Sequence, residues 1–118
     1  MAESAESDHA NGRHWSMWAE CGMQFRSNLV DVGGTIPLHA HSYDHVSIVT
    51  HGVFRCTTTA PDGMVESFIA ASKDMMDPES RGYRFVIPAG WQHTFELLRS
   101  NGQPGEVLCF WPEGWDQE

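Results

Sequence analysis

From Trp15 onward the chain is cut into short apolar stretches by Gly, Pro, Asn and Asp, at intervals too close for packed helices. Such punctuation specifies a small all-β domain. The stretches 23–32, 37–41, 45–50, 53–59, 64–69, 83–87, 92–98 and 105–111 read as strands. The joints Gly33-Gly34, His51-Gly52, Pro61-Asp62-Gly63, Pro88-Ala89-Gly90 and Asn101-Gly102 supply the positive or fixed φ that tight turns need. No segment carries a capped helical repeat, and residues 70–82 read equally as one helical turn or a loop.

A chain of 118 residues holds one domain with one core, and 5 Trp with 6 Phe are enough to fill it. The domain is expected over 15–118. The small, polar, acidic stretch 1–14 has no large apolar anchor and reads as a disordered tail, in which His9 and His14 are solvated. A net charge of −9 repels nucleic acid and anionic bilayers, so neither is an expected partner. With no apolar run long enough to span a bilayer and no basic-then-apolar start, a cytoplasmic location is expected. Cys21, Cys56 and Cys109 are odd in number and form no CxxC pair, which points to reduced, buried thiols. Several strands are apolar on both faces, and together with the 5 Trp they offer more apolar surface than one interior covers, which predicts a homodimer.

The chemistry lies in the histidines, 7 in this short chain, four of them between His39 and His51. Successive strand residues alternate faces, so His39 and His41 project to one side, and His45 shares their parity if the strand resumes after a kink. The Pro88-Ala89-Gly90 turn delivers a further strand near whose start stands His93. Neutral imidazoles converging on one point are the usual ligands of a divalent first-row metal. His39, His41 and His93 are therefore candidate ligands. His45 is either a fourth ligand or a hydrogen-bonding residue behind the others. His51 precedes a turn glycine and reads as a solvated rim residue.

These two stretches resemble the paired signature motifs of the cupin superfamily. Gly33, His39, His41 and Gly52 fit the first motif, and Gly82, Pro88, Gly90 and His93 fit the second. The chain departs from the motifs twice, with His45 where cupins usually carry a metal-binding Glu and Leu97 where the second motif ends in Asn. A set of His39, His41, His45 and His93 is similar to that of a group of manganese- or iron-binding single-domain cupins. The resemblance implies an antiparallel β-barrel of jelly-roll type, often dimeric. It also implies one divalent transition metal per chain (Fe, Mn, Ni or Zn) in the barrel mouth.

Four neutral nitrogens leave the full charge of the metal in place, which suits a chelating organic anion and, with iron or manganese, electron transfer to dioxygen. A small dioxygenase-type oxidoreductase acting on a chelating small molecule is the leading expectation. A non-redox lyase or isomerase and a metal-dependent small-molecule binder are the alternatives. Proton chemistry would need Asp44, Tyr43, Glu66, Tyr83 or Glu96, and no pattern in the sequence places any of them inside. Phe95 shares the parity of His93, and Phe85 leads into the same turn, so both are expected on the inner wall or in the ordinary core.

Overall fold

The computed structural model describes the backbone over residues 3–9, 12–18, 23–40 and 44–112, with side chains over 25–36, 40 and 44–111. The described residues form eleven strands: β1 (Glu3–His9), β2 (Gly12–Trp18), β3 (Met23–Val30), β4 (Thr35–His39), β5 (His45–His51), β6 (Val53–Thr59), β7 (Val65–Ala71), β8 (Ser80–Gly82), β9 (Arg84–Ile87), β10 (Gln92–Arg99) and β11 (Gly105–Pro112). They form a six-stranded sheet ordered β1-β2-β3-β11-β5-β9 and a five-stranded sheet ordered β4-β10-β6-β7-β8. All pairs are antiparallel except β7 with β8.

The pairings are nested. β6 pairs with β7, β5 with β9, β4 with β10 and β3 with β11, so one long hairpin is rolled over itself into a jelly roll. The barrel expected from the sequence is not closed by hydrogen bonds, because the described strands divide between two facing sheets. The chain changes sheets between β8 and β9, at Gly82, whose φ of +146° turns the corner. Residues 70–82 resolve into the end of β7, a single 3₁₀ turn at Lys73–Met75, and β8. Ser72 Oγ donates to Asp74 at 2.7 Å and Arg99 donates to Asp77 at 2.9 Å, which ties this segment to the end of β10.

Side-chain alternation builds the core as the strand patterns predict. From β10, His93, Phe95 and Leu97 point inward; from β6, Phe54, Cys56 and Thr58; from β5, His45, Ser47 and Val49. Gly52 and Gly105 close the end of the sandwich beneath Leu97. A Cβ on Gly105 would lie 2.6 Å from Leu97 Cδ1 and 2.8 Å from Phe54 Cζ, and Gly52 sits at φ +100° with its Cβ position 2.8 Å from the same Leu97 methyl. The motif glycine at 52 is thus required by both backbone and packing.

β1 and β2 form a hairpin whose second strand pairs with β3 along its length. The physical source is the edge of β3, a row of backbone donors and acceptors that an extended chain satisfies without an apolar anchor. Because β1 touches the sheet only through β2, deletion of residues 1–11 is expected to leave a cooperative thermal transition. Loss of that transition in a melting experiment would show that the hairpin is integral to the domain.

Candidate metal centre

His45 opens β5 and His93 is the second residue of β10, so the two imidazoles enter the interior from opposite sheets. Both are buried, at 2% and 0% exposure. Their ring centroids lie 5.1 Å apart with planes inclined at 47°. β4 ends at His39 and β5 begins at His45 in the facing sheet, so the strand does not resume after a kink; the chain crosses between sheets instead.

Each ring is held by its Nδ1. The His93 Nδ1–H donates to the Trp91 carbonyl at 3.2 Å, which leaves Nε2 as the lone-pair nitrogen of the neutral ring. His45 Nδ1 lies 3.3 Å from Ser47 Oγ, a hydroxyl with no solvent exposure that in turn sits 3.5 Å from Cys109 Sγ. The turn that delivers His93 is pinned from the other sheet. Trp91 N–H donates to the Pro88 carbonyl at 3.2 Å, and the Asp44 carboxylate accepts the Ala89 N–H at 2.7 Å. Asp44, a candidate acid or base from the sequence, thus fastens the His93 turn to the start of the His45 strand.

The other expected site residues fall as follows. The backbone of His39 is directly opposite His93 in the β4–β10 register, and its side chain lies outside the described residues. His41, Tyr43 and Trp115 also lie outside them. Among the described residues no group of three or more His, Cys, Asp or Glu side chains gathers. Two imidazoles sharing one metal at about 2.1 Å from each nitrogen place their centroids roughly 4.5–5.3 Å apart. The His45–His93 separation fits that span, and two neutral nitrogens oriented through Nδ1 suit a divalent first-row metal. Glu96 faces the opposite way, paired with Arg55 at 3.2 Å on the outer surface, and Tyr83 lies under the Lys73 ammonium at 4.8 Å. His51 is on the rim as expected, with Nδ1 3.4 Å from Glu106 Oε1.

The wall beside the imidazoles is aromatic. Phe95 lies 5.4 Å from the His93 ring and meets Phe85 edge-on at 5.8 Å, and Phe85 meets Phe68 at 5.2 Å. Thr58 has no motif to mark it, and its parity with Phe54 and Cys56 in β6 is the signal that turns it inward. It is buried directly opposite His93.

Below this wall the free thiols of Cys56 and Cys109 are buried. Burial pushes the Cys56 thiol well above the usual range, the adjacent Cys109 adds to it, and the Arg81 charge opposes both. Cys109 is raised chiefly by burial too, against hydrogen bonds from Ser47 and Asn28 and the charge of Arg26. Both thiols therefore stay protonated in the native state while the unfolded thiols ionise near pH ~8.5. The unfolded state then binds fewer protons, so stability should fall as pH rises above ~8.5, by about 1.4 kcal/mol per pH unit for each thiol. Urea titrations between pH 8 and 10 measure this, and rapid native-state labelling of Cys56 or Cys109, mapped by mass spectrometry, would contradict it.

No family model matches the sequence, and no curated protein does. The fold has solved counterparts. Oxalate decarboxylase from Bacillus subtilis matches with a TM-score of 0.76 at 16% identity, covering 100% of this chain and 30% of that one. A structure of the same enzyme, studied for its Mn(II) centres, matches at 0.73 and 14% identity over 97% of this chain and 29% of that chain. A conserved protein of unknown function from Streptococcus pyogenes matches at 0.62 and 15% identity, covering 92% of this chain and 80% of that one. The chain spans about 30% of the length of the oxalate decarboxylase chains. The chain therefore has the cupin jelly-roll fold that its two motifs anticipate. Among the described residues no helix is long and apolar enough to cross a membrane.

Proposed function

We propose that this chain is a metal-dependent cupin-fold protein of the cytoplasm, acting as a small dioxygenase-type oxidoreductase on a chelating organic molecule. His39, His41, His45 and His93 would hold one divalent metal. The observation that carries the reading is the buried pair His45 and His93, brought from facing sheets to 5.1 Å with Nδ1 of each engaged. Bound there, Fe, Mn, Ni or Zn supplies Lewis acidity, and the redox-active metals supply electron transfer to dioxygen. The residues of the chain do the rest. Trp91 and Ser47 orient the imidazoles, while Phe95 and Phe85 line the wall and exclude water.

A non-redox decarboxylase-type or other lyase activity is the second reading, favoured by the likeness to oxalate decarboxylase. A binder without turnover uses the same residues. Elemental analysis of protein purified without added metal tests the common core of all three. Oxygen uptake coupled to loss of a chelating acid then selects the first, anaerobic conversion the second, and saturable binding without conversion the third.

The same reading includes a homodimer. Val46 pairs with Phe110, Ile48 with Leu108 and Val46 with Val86 on the outer face of the six-stranded sheet, where Val86 is 58% exposed. An apolar sheet face of this kind is covered most simply by a second copy. Sedimentation at micromolar concentration is expected to give the dimer mass; a monomer at high micromolar concentration rejects it.

A further inference from the structure

Cross-strand register sets four residues in one transverse row of the five-stranded sheet: His39 opposite His93, His93 opposite Thr58, and Thr58 opposite Glu66. Directly opposed residues of antiparallel strands share a face. Glu66 is therefore on the side of the sheet that carries His93, two strand spacings or about 10 Å away.

Glu66 holds a cation there. Arg81 Nη2 donates to Glu66 Oε2 at 3.3 Å, and the guanidinium lies over the Phe68 ring, 4.2 Å from its centroid. Phe68 begins the aromatic wall that runs through Phe85 and Phe95 to His93. One end of this wall is thus the buried imidazole pair and the other a fixed guanidinium. The two side chains of the ion pair are 51% and 56% exposed, so a ligand reaches them from solvent. A half-exposed pair with one hydrogen bond contributes little to stability and exchanges readily, while stacking on Phe68 keeps the guanidinium in place for a new partner. A chain of net charge −9 repels acids over most of its surface, so a cation on the wall decides where an acid is held.

We propose that Arg81 binds the outer carboxylate of a dicarboxylic organic acid whose inner end lies at the imidazole pair, and that Glu66 is the internal carboxylate this ligand displaces. The placement of the inner end rests on the metal reading above; the role of Arg81 and Glu66 does not.

Calorimetric titration of the full chain with glutarate, and with pentanoate as the single-carboxylate control, tests the assignment. Wild type should bind glutarate more tightly than pentanoate. Arg81→Ala should weaken glutarate binding by roughly tenfold or more and abolish the preference, as loss of a charge-assisted hydrogen-bond partner does. Glu66→Gln should act in the opposite direction, tightening glutarate several-fold by removing the competitor. A merely structural ion pair predicts that both variants move affinity the same way or not at all, and either result overturns the proposal. So does a metal-containing wild type that fails to prefer glutarate. Repeating the titrations after chelator treatment separates the two readings. If the metal reading fails, the protein as purified holds no metal and chelation changes nothing, yet the opposed effects of the two variants persist. If the present proposal fails, metal is bound and neither variant shifts glutarate as stated.

Discussion

Replacing His93 by alanine is expected to leave the chain without bound metal after desalting. The imidazole has no solvent exposure, faces His45 across the sandwich, and is fixed by the Trp91 carbonyl, so it is held in place as a ligand would be. Loss of a group that only orients a ligand lowers metal affinity by about 10–100-fold, and loss of a ligand should exceed this. Ser47→Ala, which removes only the hydroxyl at His45 Nδ1, should fall within that smaller range. His45→Glu should keep the metal while lowering its effective charge by one unit, and so change any activity that depends on Lewis acidity. Elemental analysis of each variant decides the matter, with thermal melts to confirm that the fold persists. Full metal content in His93→Ala would end the assignment of this residue as a ligand.

Phe95→Ala should cost about 3–5 kcal/mol of stability, a large part of the ~5–15 kcal/mol available to a domain of this size. Phe95 is 1% exposed, lies opposite Cys56 of β6 and Ile36 of β4, and packs between His93 and Phe85. The remaining core residues hold the two sheets apart when this ring is lost, so the cavity has rigid walls and little means of collapse. Phe95→Leu keeps most of the volume and should cost less than about 1.5 kcal/mol. Urea unfolding reads both values. A difference between wild type and the alanine variant of under ~1 kcal/mol would place Phe95 outside the core's energetics.

What the sequence makes legible is local. The alternation of His93, Phe95 and Leu97, the Pro88-Ala89-Gly90 turn and the glycine at 52 each follow from backbone geometry or the two-residue strand period, and each has its counterpart in the structure. The strand bounds agree to within a few residues, since turn residues mark them. Partition of the strands between two sheets is not legible, because it depends on which strand lies beside which. Nothing local to Gly82 announces that the chain changes sheets there. The same holds for the edge of β3 that recruits β2, and for Asp44 reaching the Ala89 amide 45 residues away. Glu66 illustrates the point for the site. Its distance from His93 along the chain says nothing, and only the register through Thr58 puts both on one face.

The nesting of the strand pairs also dictates how slowly this chain can find its fold. The β6–β7 pair closes across a five-residue connection, whereas the outermost pair joins positions such as Ser27 and Glu106, which are 79 residues apart and share a hydrogen bond. Each outer pair must wait for the one inside it, and each closes a longer loop at greater entropic cost. A nascent chain therefore carries β3, paired to β2, and β5, paired to β9, each with one open edge until β11 has been synthesised and inserted between them. During that interval Phe25, Leu29, Val46 and Ile48 lack their neighbours on the β11 side, and the newly made protein is at its most prone to aggregate.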